Sequence, residues 1–119
     1  MTIWVSVELL QQYCDPYRSN PLDNSKLTRA EVRKALVNRT LESIPGTKKH
    51  AERIAFFVQR GIKDPIELDV GVPALGYETR WMCTDGNHRL AAAIYTKQKL
   101  ILADISGQVD YIKTLFGLC

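Results

Sequence analysis

The sequence predicts a single α+β domain over residues 1–119, with short strands alternating with amphipathic helices. Three observations carry that expectation. Strand-favouring residues recur at period two at Ile66, Leu68 and Val70, and again at Tyr77, Thr79, Trp81 and Cys83. Apolar residues instead recur at helical spacing at Ala51, Ile54, Ala55 and Val58. The stretch 77–95 passes from the first pattern to the second across Asp85-Gly86, which reads as strand, tight turn and helix.

Taken in order, residues 2–5 form a short strand with Ile3 and Val5 on one side. Ser6 is the N-cap of a helix with Glu8 in its first turn and Leu9, Leu10 and Tyr13 as its apolar stripe. Asp15-Pro16 and Asn20-Pro21 break it, leaving residues 15–27 as the longest irregular and most mobile segment. Thr28-Arg-Ala-Glu31 is a capping box that opens a helix to about Arg39. Val32 and Leu36 face inward on it, while Arg29 and Arg33 share another face with Lys34 beside them. Thr47 caps the next helix, which stops at Gly61. Pro65 introduces a strand over 66–70, and the Gly/Pro turn at 71–76 pairs it as a hairpin with the strand before Asp85. From Asn87 a helix runs into the region of Gln98, with Leu90 and Ile94 four apart and alanines at 91, 92 and 93. Leu100–Ile105 returns to the sheet, and Ser106-Gly107 opens a last helix with Val109, Ile112 and Phe116 buried.

Hydrophobic residues are 45% and charged residues 24% of the chain, ordinary for a soluble globular domain. No apolar run approaches the ~20 residues of a membrane span, and Met-Thr-Ile-Trp-Val lacks the features of a signal peptide. The expectation is a cytoplasmic protein with no membrane partner. Three cysteines (14, 83 and 119) with no close pair argue against a disulfide framework and a zinc site, so no metal ligands are assigned. Charge is unevenly spread: ten basic and three acidic residues lie between Lys26 and Lys63, against six and ten elsewhere. Such a basic stretch suits an anionic partner, with Arg29, Arg33 and Lys34 as candidate DNA contacts. Surface charge on an amphipathic helix accounts for the same residues equally simply.

The turn at 85–89 has its own chemistry. A helix starting after a glycine turn aims unpaired N–H groups and the positive end of its dipole at one spot. His88 and Arg89 add donors and charge there, so Gly86, Asn87, His88 and Arg89 suit a phosphate or another oxyanion. Asp85 caps the helix, orients His88 or Arg89, or holds a divalent ion on a bound nucleotide. A plain solvated turn explains the local pattern too.

Asp85-Gly-Asn-His-Arg-Leu-Ala-Ala92 closely resembles the Asp-Gly-(His or Asn)-His-Arg signature of the ParB/sulfiredoxin superfamily. Gly61–Leu68 is similar to the Pro-Ile strand those domains place before it, and Leu100–Ile105 followed by Tyr111–Gly117 is similar to the sulfiredoxin order. The likeness runs over about residues 48–117, with 1–47 an N-terminal extension bearing the basic helix. It implies a small mixed sheet of about four to five strands packed with about four to five helices. It also implies a nucleoside triphosphate or diphosphate with Mg²⁺, held by Gly86, Asn87, His88 and Arg89 with Lys49 and Arg53 on the preceding helix. Asp85 and His88 are then the catalytic candidates.

Sulfiredoxin repair chemistry is excluded, because its cysteine position is Asn87 here and an amide is no thiolate. A free-serine-kinase-like phosphotransferase or a ParB-like nuclease remains as the enzymatic alternative. ParB partition proteins carry helix-turn-helix and dimerisation domains after the nucleotide module, so a chain ending at Cys119 is expected to be the module alone. The leading expectation is therefore a stand-alone ParB-like domain that binds a nucleotide or phosphate ligand, with DNA as a further partner. The other class is a phage or plasmid interaction protein that kept the fold, lost the ligand and meets a host protein.

Overall fold

The structure is a computed structural model, and it describes residues 2–18, 28–38, 50–72, 75–76 and 82–107. In chain order the elements are β1 (Thr2–Ser6), α1 (Val7–Gln11), α2 (Arg29–Asn38), α3 (His50–Arg60), β2 (Ile66–Asp69), β3 (Cys83–Asp85), α4 (Asn87–Tyr95) and β4 (Leu100–Ser106). The expected mixed α+β class is what forms. The expectations for Lys49, Thr47, residues 77–81, the helix after Gly107 and Cys119 lie outside the described residues.

The four strands form one mixed sheet in the order β1-β4-β2-β3. β1 pairs antiparallel with β4, with Trp4 opposite Leu102. β2 lies parallel to β4, with Ile66 opposite Ala103, and antiparallel to β3. The β2–β3 register shifts at Glu67/Leu68, a bulge just before the strand reaches Asp85.

α4 is the central helix. Its residues Leu90 to Ile94 are all buried, so it presents no solvent stripe. Leu90, Ala93 and Ile94 join the sheet-side core with Val5, Leu10, Ile66, Leu68 and Ile101. Ala91 and Ala92 join a second core with Val32, Ile54 and Ala55 of α2 and α3. Small alanines on two faces let the helix lie close to both layers.

The caps follow the residues that favour them. Ser6 Oγ accepts from the Leu9 N–H at 3.3 Å, and Thr28 Oγ1 accepts from the Glu31 N–H at 3.2 Å. Gly61 follows α3 at φ 84°, and its N–H donates to Phe57 O at 2.8 Å.

Some expectations need correction. Tyr13 falls beyond α1 and is 38% exposed, so it is not part of the helical stripe. The first residues of the expected mobile loop are anchored: Asp15 is buried, and the Tyr17 hydroxyl donates to Ala91 O at 2.9 Å. α4 stops at Tyr95 rather than near Gln98, because Lys97 turns left-handed at φ 57°. Among the described residues no helix is long and apolar enough to cross a membrane.

Candidate functional site

β3 delivers the chain to the turn. Gly86 adopts φ 93°, ψ 23° and is itself the N-cap of α4, with no side-chain cap bond. Glycine is required there for two reasons. The left-handed angle strains any other residue, and a Cβ would lie 2.7 Å from Ile66 Cγ2 and 3.0 Å from Arg89 Nη2. The first intrahelical bond is Leu90 N–H to Gly86 O at 2.8 Å.

Asp85 therefore does not cap the helix, contrary to one of its expected roles. Its Oδ2 accepts from Arg89 Nη2 at 3.3 Å, one helical turn away. Arg89 Nη1 donates to Pro65 O at 3.0 Å, which ties the guanidinium to the segment leading into β2. The arginine side chain is 14% exposed and the carboxylate 67%, so water reaches this pair from the Asp85 side. Asn87 turns back to the strand, its amide donating to Cys83 O at 3.1 Å.

His88 meets a residue that sequence reasoning assigned no role. His50 Nδ1 and His88 Nε2 are 2.9 Å apart in a hydrogen bond. The ring centroids are 5.1 Å apart and the planes 17° from parallel. That separation is about the N···N distance plus two ring radii, so the imidazoles meet edge to edge. His50 is the first residue of α3 and His88 the second of α4, so two helix N-termini converge here.

The charges agree with that convergence. Burial, then Arg53, His50 and Arg89, push the His88 pKa down from 6.5 to about 4. His88 is thus neutral near pH 7 and adds no positive charge, which corrects the sequence expectation. A group with so low a pKa is also a poor general base at neutral pH, so hydrogen bonding suits His88 better than proton abstraction. The positive charge at the turn comes from Arg53 and Arg89, both on His88.

Of the other candidates, Arg29, Arg33 and Lys34 sit on α2, with Arg33 and Lys34 exposed. The Arg29 guanidinium lies 4.5 Å over the Tyr17 ring and lines a groove at the far end of α4, away from the turn. Lys49 is outside the described residues. Among the described residues no three His, Cys, Asp or Glu side chains gather as metal ligands.

The thiols give no nucleophile. Burial pushes both Cys14 and Cys83 up to about 12. Cys83 Sγ donates to Asp85 O at 3.3 Å, inside the strand that feeds the turn. The two thiols share one core cluster although they lie far apart in sequence.

The residue missed by sequence reasoning is His50. The available signal was that the chain has only two histidines, and both stand at a predicted helix start. No family model matches the chain, and neither a curated protein nor a solved structure matches it.

Proposed function

We propose that the chain is a ParB/sulfiredoxin-like module that binds the phosphate of a nucleotide, or another phosphate ligand, at Gly86–Arg89. One observation carries this reading: two helix N-termini meet at the His50–His88 contact, with Arg53 and Arg89 acting on the same spot. Asn87, His88 and Arg89 occupy the first turn, where backbone N–H groups lack intrahelical acceptors. The Arg89–Asp85 contact is solvent-exposed on its acidic side, and such pairs contribute only about 0–1 kcal/mol. An incoming phosphate therefore displaces Asp85 from Arg89 at small cost, leaving the carboxylate beside any Mg²⁺ that the nucleotide carries.

The test is thermal unfolding with a panel of nucleoside di- and triphosphates, with and without Mg²⁺, and with inorganic phosphate. A ligand at a hundred times its Kd should add about 2.7 kcal/mol of stability. Arg89→Ala should remove the rise, and Arg53→Gln should reduce it. A flat response to every nucleotide would instead favour the interaction-protein reading. Phosphate release or DNA nicking that depends on Asp85 and His88 would extend the proposal to the phosphotransferase or nuclease alternative.

DNA binding is a second reading, supported by the exposed Arg33 and Lys34 on α2. Affinity for duplex DNA should fall steeply with salt and with the double variant Arg33→Glu/Lys34→Glu. Salt-independent or absent binding removes it.

A further inference from the structure

A groove of about 790 Å³ opens where the β1–α1 corner faces the C-terminal end of α4. We propose that it binds a small amphipathic organic anion, an acyl or aryl body carrying one carboxylate or phosphate headgroup. It is distinct from the turn at Gly86, since α4 is nine residues and ~13 Å long and separates the two.

Size and lining point to a small molecule. The volume is within the roughly 300–1,000 Å³ of small-ligand pockets. Val7 and Ile94 form an apolar floor, and Leu100, 50% exposed, stands on the rim. Arg29, Lys97 and Lys99 line the groove together with one carboxylate, Glu8. The apolar floor offers nothing to a phosphodiester backbone, and Glu8 opposes a polyanion while leaving an excess of cations for a single headgroup.

The two lysines are not needed to finish α4, whereas Arg29 also packs over the Tyr17 ring. Lysines after a helix commonly satisfy its last carbonyls, but here those of Ala92, Ala93 and Ile94 already have partners. Lys97 N–H donates to Ile94 O at 3.1 Å, and Gln98 N–H donates to Ala93 O at 2.9 Å. Thr96 donates through both its N–H and its hydroxyl to Ala92 O, at 3.0 Å each. Lys97 holds a left-handed φ of 57°, a position that costs less for glycine. Arg29 is the first residue of α2, where the helix dipole disfavours a cation. Two local preferences are thus violated at one groove, each by a positively charged side chain. Such departures concentrate at ligand sites.

The experiment titrates the full chain with decanoate and decyl phosphate below their micelle concentrations, with decyltrimethylammonium and inorganic phosphate as controls. Calorimetry reads affinity, and amide NMR shifts read location. Both anionic probes should bind, moving the amides of Lys97–Leu100, and the cationic probe should be weaker by about tenfold or more. Lys99→Glu and Arg29→Glu should each weaken the anionic probes about tenfold. Lys97→Gly should weaken them while raising the melting temperature, which separates loss of binding from loss of fold. Arg89→Ala should leave the decyl probes bound, so this site stands or falls independently of the phosphate site. Equal binding of the cationic probe, no binding, or shifts confined to Asn87–Arg89 would overturn the proposal. So would tighter binding by an acidic peptide at Lys97–Leu100, which would make the groove a protein-docking surface.

Discussion

His50 Nδ1 and His88 Nε2 share a 2.9 Å hydrogen bond across 38 positions of sequence, joining the starts of α3 and α4. One ring must donate and the other accept, so the bridge tolerates at most one protonated ring. A second proton would set two N–H groups against each other with Arg53 and Arg89 close by.

Stability should consequently fall in acid. The His88 pKa is about 4 in the folded protein against 6.5 in an unfolded chain, so the unfolded state binds more protons between those values. The contribution is complete above pH 6.5 and is lost as pH drops through 4. With solvent screening of a half-buried ring, the loss is about 2 kcal/mol. Urea unfolding at a series of pH values measures it, and His88→Gln should flatten that part of the profile.

Gly86→Ala should destabilise the fold by about 2–4 kcal/mol, combining the left-handed strain with an overpacked contact. The added methyl would press on Ile66, which is fully buried and has no room to move aside. A lower urea midpoint at unchanged m-value is the expected result, and a midpoint equal to wild type would show that the turn relaxes.

Tyr17→Phe should cost about 1 kcal/mol by removing the hydroxyl bond to Ala91 O. The ring beneath Arg29 is kept in that variant. Tyr17→Leu loses the cation–π contact as well and should cost more. A double-mutant cycle of Tyr17→Leu with Arg29→Met separates the cation–π contact from the packing that the lost ring also supplied.

Cys14 and Cys83 should resist alkylation. Raising a thiol from 9 to about 12 lowers its thiolate fraction near pH 8 by about three orders of magnitude. Iodoacetamide followed by peptide mass spectrometry should leave both unmodified in the native protein and label both rapidly in urea. Native-state labelling of Cys83 would mean that β3 opens.

The turn and helix at 86–95 were legible because glycine marks the bend and Leu90 and Ile94 recur four apart beyond it. The Ser6 and Thr28 caps were legible for the same reason: they act within four residues. The period-two residues 77–81 lie outside the described residues, and the strand runs through Asp85, which was read as part of the turn. What stayed hidden depends on packing between distant elements. Nothing local pairs His50 with His88, or brings Pro65 O to Arg89. Asp85 looked like a cap because a carboxylate precedes the helix, but Gly86 occupies that position and leaves Asp85 to the arginine. The neutral state of His88 likewise comes from burial between two helices, which residue type does not reveal.

The order β1-β4-β2-β3 also bears on how the chain reaches its native state. The first described strand, Thr2–Ser6, has its antiparallel neighbour at Leu100–Ser106, nearly the whole described length away. During synthesis it must wait on the ribosome for that neighbour to emerge. Closing so long a loop is a slow step. Nascent chains halted before residue 100 should leave Trp4 and Val5 accessible to chaperones, and release past β4 should hide Val5.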